Sequence, residues 1–143
     1  MRVKQLSIFL ENQSGRLAEV TGAIGVEGIN IRALSLADTS GFGILRLIVN
    51  DIDRARNILR DKGFTVRETD VIAVEIPDVP GGLANVLRIL GDQNINVEYM
   101  YAFVQKSAEN AVVIFRIEDI DKAIQVLQQG GVKILSAQDV YAM

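Results

Sequence analysis

Apolar side chains alternate with polar ones at Leu6, Ile8 and Leu10, a two-residue period that predicts a β-strand with one buried face. The period then lengthens. Leu17, Val20, Thr21 and Ile24 recur at helical spacing, which predicts a helix over about 15–27, and Gly28 suits the left-handed conformation that ends one. Two further strands, 30–37 and 43–49, flank Asp38-Thr39-Ser40-Gly41, a composition that suits a hairpin turn. Asp51 is placed to cap a second helix that buries Ile52, Ala55, Ile58 and Leu59 and stops at Gly63; a short strand near 65–68 closes the pattern.

The whole pattern then recurs. A shift of 66 places Gly15, Leu17, Ala18, Val20, Gly25, Ile29 and Asn30 on Gly81, Leu83, Ala84, Val86, Gly91, Ile95 and Asn96. A shift of 68 continues the match from Asp51-Ile52-Asp53 onto Asp119-Ile120-Asp121, so the second copy gains two residues in between, in the turn region around 105–110. The second copy is expected to run as strand 71–76, helix 83–93, strands 96–104 and 111–117, helix 120–129 and a last strand within 132–141. The order βαββαβ occurs twice. Right-handed crossovers then lay both helices on one face of an antiparallel sheet, so the fold class is α+β, with two ferredoxin-like units in tandem. The boundary is expected at 69/70, giving domains 1–69 and 70–143. Only Arg67-Glu68-Thr69-Asp70-Val71 joins them, without a Pro- or Ser-rich linker, which brings the last strand of one copy close to the first strand of the next.

Composition narrows the chemistry. The 143 residues, 49% of them hydrophobic, suffice for a sizeable core. They include no Cys and no His, which removes thiol nucleophiles, disulfides, Cys/His zinc sites and imidazole acid–base catalysis together. No Gly-x-Ser-x-Gly, phosphate-loop or Glu/His metal motif fills the gap, so no catalytic residue, metal or cofactor is assigned. The net charge of −3 offers no basic footprint for nucleic acid or an anionic membrane. The N-terminal segment enters the alternating pattern directly, without the unbroken apolar run of a signal peptide or membrane span, and the expected location is cytoplasmic.

The informative segments are the two turns between first strand and first helix: Glu11-Asn12-Gln13-Ser14-Gly15-Arg16-Leu17 and Pro77-Asp78-Val79-Pro80-Gly81-Gly82-Leu83. A helix N-terminus carries unpaired N–H groups and partial positive charge, and a glycine there allows a carboxylate to approach the backbone. Gly15, Arg16 and Leu17, with Gly81, Gly82 and Leu83, can donate such groups, while Asn12 and Asp78 can accept from an ammonium. Together they suit a zwitterion. The alternative is structural: Asn12, Ser14 and Asp78 as helix caps, the glycines as relief of strain, and Arg16 as a solvated first-turn residue. Tyr99, Tyr101 and Phe103 share one face of a strand and read as an interface face; Asp51 with Asp53, and Asp119 with Asp121, read as helix caps and not as a metal pair.

A βαββαβ unit whose first strand ends in Asn or Asp, followed by Ser/Pro-Gly-x-Leu opening the helix, resembles the ACT domain. Gly28-Ile29-Asn30 and Asn94-Ile95-Asn96 match that family's way of closing helix one before strand two, and the likeness covers both repeats. The resemblance implies regulation: amino acids or related small ligands bound at interfaces between paired ACT domains, with Ser14, Asn30 and Asn96 joining the loop residues named above as candidate ligand contacts. It further implies a free-standing sensor acting on an enzyme in trans, and the strand edges rich in Ile, Val and aromatic residues point to a homodimer. Two other classes share the fold. An assembly module without ligand differs from a sensor only in lacking one, whereas an RNA-binding βαββαβ module would need stacking aromatics that Gly43-Ile44-Leu45-Arg46-Leu47-Ile48-Val49 lacks. An acylphosphatase-like hydrolase would need an Arg-bearing phosphate loop after strand one, and none is present.

Overall fold

Strand and helix follow one another as the periodicities dictate: β1 (Val3–Glu11), α1 (Arg16–Gly25), β2 (Ile31–Thr39), β3 (Phe42–Val49), α2 (Ile52–Asp61), β4 (Thr65–Pro77), α3 (Gly82–Asp92), β5 (Val97–Ala102), β6 (Asn110–Ile117), α4 (Ile120–Gln129), β7 (Lys133–Leu135) and α5 (Ala137–Ala142). The computed structural model describes residues 1–39, 41–103 and 110–143. Ser40 of the expected hairpin turn, Val104 of the expected second strand of copy two and residues 105–109 of the expected insertion lie outside them. Two compact units result, one of Lys4–Thr69 and one of Asp70–Met143 with Met1–Val3.

In the first unit the strand order is β2-β3-β1-β4. β1 and β3 pair antiparallel with Leu6 opposite Leu47 and Ile8 opposite Leu45, and β2 joins β3 through Leu34–Leu47 and Leu36–Leu45. The face carrying Leu6, Ile8, Leu10, Leu45, Leu47 and Val49 meets Val20, Ile24, Ala55 and Leu59 from the helices. Each fully buried leucine of this layer contributes about 1.5–3 kcal/mol relative to exposure. The second unit repeats the order as β5-β6-β4-β7, with Ile72 opposite Phe115 and Val74 opposite Val113, and closes its core with Val86, Leu90, Ala123 and Leu127. Both units are therefore mixed α+β layers of the ferredoxin-like kind.

The helix ends explain why the helices stop and start where they do. Asp51 and Asp119 accept from the N–H groups of Arg54 and Lys122 at 3.3 and 3.2 Å, so these carboxylates act as caps. Their neighbours Asp53 and Asp121 turn instead to Arg56 and Arg2, each at 3.1 Å. Helix one of each unit ends on a left-handed residue, Gly28 at φ +76° and, in the equivalent place, Asn94 at φ +57°. The N–H of Ile29 reaches back to the Ile24 carbonyl at 3.1 Å, and that of Ile95 to Leu90 at 3.0 Å.

Three expectations change. The short strand near 65–68 and the strand 71–76 are one element, β4, contributing Thr65–Thr69 to the first unit and Asp70–Pro77 to the second. Thr, Val, Arg and Glu carry no break that would stop a strand, so the junction stays extended. The last strand is only Lys133–Leu135; Ser136 then accepts from the Asp139 N–H at 3.1 Å and starts α5, a local cap overriding the apolar pattern. The middle of β1 is buried on both faces: Gln5 and Ser7 are buried opposite the core, and the Gln5 amide donates to the Ser7 hydroxyl at 3.2 Å.

Candidate functional site

The two loops that precede the first helix of each unit fold alike, down to the hydrogen bond. Gly15 and Gly81 are the N-cap residues, at φ +89° and +83°, a conformation that favours glycine. Gln13 N–H donates to the Glu11 carbonyl at 2.8 Å and Val79 N–H to Pro77 at 2.9 Å. One residue past each glycine the pattern repeats, with Arg16 N–H on the Gln13 carbonyl at 3.3 Å and Gly82 N–H on Val79 at 3.0 Å.

These bonds revise the donor set. Arg16 and Gly82 were expected to offer their N–H groups to a ligand, but the turn consumes both. Gly15, Leu17 and Ala18 in the first loop, and Gly81, Leu83 and Ala84 in the second, are left with no acceptor among the described residues. Ala18 and Ala84 are thus the donors that sequence reasoning missed; the bonding of the turn, which no residue spacing shows, selects them. The N-cap residue of each helix is a glycine and has no side chain with which to cap it. Asn12 extends its amide to the Asp38 carboxylate at 3.4 Å, and Ser14 and Asp78 are exposed. For Asn12 and Ser14, the capping alternative therefore does not describe the first loop.

Arg16 is engaged by two carboxylates, Glu19 at 3.1 Å and Glu11 at 3.8 Å, over the mouth of the first loop. Its counterpart Gly82 has no room for any side chain, because a β-carbon there would collide with the Pro77 carbonyl. The loops thus share a backbone and differ in charge.

Asn30 and Asn96 stand elsewhere. Each lies beyond the C-terminal end of a helix whose N-terminal end carries the loop, and the ten residues of α1 span about 15 Å. Asn30 donates its N–H to the Asn50 side chain at 3.0 Å, and the Asn50 N–H returns to the Asn30 carbonyl at 3.2 Å, which ties the entry of β2 to the end of β3. Asn96 lines a cleft with Glu98, Asp119 and Lys122. Within a unit, neither asparagine joins the loop residues. Tyr99 and Tyr101 are half-buried on one face of β5, opposite Arg116 and Ile114, and Phe103 follows with its N–H on the Val112 carbonyl at 2.9 Å.

A second feature belongs to the ends of the sheets. In the first unit Phe9, Glu11, Arg16, Phe42, Lys62 and Phe64 are among the residues around a cleft of about 280 Å³. The second unit holds one of about 330 Å³ at the corresponding place, around Glu75, Pro77, Gly82, Asn110, Gly130 and Val132.

Among the described residues no helix is long and apolar enough to cross a membrane. No curated protein matches the chain. Among solved structures it is similar to protein BT0572 from Bacteroides thetaiotaomicron, at 47% identity and a TM-score of 0.94 over 100% of this chain and 98% of that one. It is also similar to the ligand-free regulatory subunit of aspartate kinase from Thermus thermophilus, at 16% identity and a TM-score of 0.63 over 88% of this chain and 91% of that one. Aspartate kinase from Synechocystis matches at 19% identity and a TM-score of 0.59, over 95% of this chain but 28% of the kinase. The two kinase likenesses show a shared fold. The family model for the ACT domain pair matches residues 1–143, the whole chain, and the protein belongs to that family of regulatory domains.

Proposed function

We propose that this ACT domain pair is a non-catalytic sensor that binds an amino acid at interfaces between ACT domains, works as a homodimer and passes its occupancy to an enzyme in trans. The observation that carries the reading is the duplicated loop: in both units a left-handed glycine leaves N–H groups of the first helical turn without an acceptor among the described residues. A ligand carboxylate placed there meets three N–H donors and the positive end of a helix dipole. Asn12 in the first loop and Asp78 in the second receive the ammonium, with the acid the stronger acceptor. The likeness to a kinase regulatory subunit supports an enzyme as the partner. Ser14 lies within the first loop, whereas Asn30 and Asn96 belong to the ligand site only where a second domain brings them to a loop.

A thermal-shift screen of the full chain against the twenty amino acids tests the reading. A ligand at 100 times its dissociation constant stabilises by about 2.7 kcal/mol, a shift of several degrees for a protein of this size. Failure of every amino acid to raise the melting temperature at millimolar concentration would remove the ligand and leave an assembly module. Light scattering gives the second check: a mass near 15.7 kDa, that of one chain, would contradict the dimer.

A further inference from the structure

The cleft at the end of the first unit has a chemistry that its duplicate lacks. Phe42 pairs directly with Glu11 across β1 and β3, and Phe9 lies two residues along β1 from Glu11, so both rings project from one face of the sheet. They are not core: Phe42 is 57% and Phe9 36% exposed. The Arg67 guanidinium stands 5.5 Å from the centroid of the Phe9 ring and packs on that side of it. Phe64 and Lys62 join the wall from the end of α2. Arg16 is already engaged by Glu11 and Glu19, whereas the Lys62 ammonium makes no ion pair among the described residues.

The repeat provides an internal control. In the equivalent cleft Phe9, Phe42 and Phe64 are replaced by Glu75, Asn110 and Val132, and Arg16 and Lys62 by Gly82 and Gly130. The second cleft keeps one cation, Lys133, but Glu75 neutralises it at 3.1 Å; the two units have the same strand order, loops and caps, so stability of the fold does not require aromatic rings or an unneutralised cation at this place. Exposed aromatics grouped around a cavity, with an unneutralised charge beside them, are the composition of a ligand site. At about 280 Å³ the cleft suits a small ligand.

We propose that the first-unit cleft binds a small monocarboxylate with an aromatic or branched apolar body. The body lies against Phe9 and Phe42 and the carboxylate meets Lys62. Because Arg16 already holds Glu11 and Glu19, the cleft asks for no ammonium on the ligand. This separates it from the loop sites, which recognise a zwitterion, and the inference stands whether or not the loops bind amino acids.

Calorimetric titration of the full chain with 3-phenylpropanoate, L-phenylalanine and 2-phenylethylamine tests it. The expected result is that 3-phenylpropanoate binds and 2-phenylethylamine does not. Lys62→Met should weaken 3-phenylpropanoate roughly tenfold or more, the scale of a lost charge-assisted hydrogen bond. Phe42→Asn, which installs the residue of the second unit, should also weaken it. Both side chains are exposed, and an unchanged melting temperature of each variant confirms that the fold survives. Absence of heat with 3-phenylpropanoate at millimolar concentration, or equal affinity in Lys62→Met, overturns the proposal. Binding of L-phenylalanine alone, lost in Asp78→Ser and kept in Lys62→Met, would overturn the cleft while leaving the loop reading intact.

Discussion

The carbonyl oxygen of Pro77 occupies the space where a β-carbon on Gly82 would lie, while at the equivalent place in the first unit Arg16 carries a full side chain into solvent. The same turn is therefore wound more tightly in the second unit. Gly82→Ala should cost about 1–3 kcal/mol through this overlap, because the obstacle is backbone and cannot rotate away. Arg16→Ala should cost less than about 1 kcal/mol, since it removes only exposed ion pairs. Urea denaturation of the two variants checks the contrast, and equal losses would refute it.

The second unit ends its first helix on Asn94 at φ +57°, where the first unit uses Gly28. Asparagine tolerates the left-handed conformation better than other non-glycine residues, although it still carries a β-carbon. Asn94→Gly should therefore leave stability unchanged or raise it slightly, and Asn94→Ala should lose about 1 kcal/mol. A thermal melt of the two variants side by side decides this, with the sign of the difference as the readout.

Asp78→Ser separates charge from conformation at the second loop. Serine caps a helix about as well as aspartate, so the variant should melt within about 1 kcal/mol of the parent in the absence of ligand. If Asp78 receives an ammonium, amino-acid affinity falls by about 1.5–3 kcal/mol, the worth of a hydrogen bond to a charged group. Calorimetry on both proteins reads the two effects separately, and unchanged affinity would take Asp78 out of the site.

Stability should be nearly independent of pH between about 6 and 9. The chain has no His and no Cys, the side chains whose ordinary titration falls in or near that window. Two arginines among the described residues are held above their ordinary pKa: Arg2 through its hydrogen bonds to Asp121 and then Asp70, and Arg56 through its hydrogen bond to Glu68. A raised folded pKa contributes stability that is fully present below the unfolded value and is lost only as pH rises through the folded one, here far above this range. Melting temperatures across the range should agree within about two degrees; a sigmoidal change centred near pH 7 would show that a carboxylate or the α-amino group titrates there.

Much of this architecture was legible in the residues because its causes are local. Spacing at two and at 3.6 residues marks strands and helices. Asp51 and Asp119 cap because a short carboxylate three residues before a helical N–H can reach it. The offset of 66, then 68, between Gly15 and Gly81 and between Asp51 and Asp119 exposes the duplication without any coordinates. Even the candidate loops follow from a glycine placed just ahead of an apolar helix.

Tertiary structure decided what depends on contacts between distant parts of the chain. The fusion of 65–68 with 71–76 into β4 arises from pairing with strands elsewhere in the chain, and the second buried face of β1 arises from neighbours that periodicity does not name. Which amides remain free among the described residues depended on the turn: Arg16 and Gly82 spend theirs within it, and Ala18 and Ala84 keep theirs. Phe9, Phe42, Lys62 and Phe64 come from β1, β3 and the connection between α2 and β4, and meet only because the packed unit brings the end of β1 beside the start of β3 and that connection. Sequence reports a side chain's own propensity and its near neighbours along the chain; a cleft is made by residues dozens of positions apart, and only the packed backbone places them together.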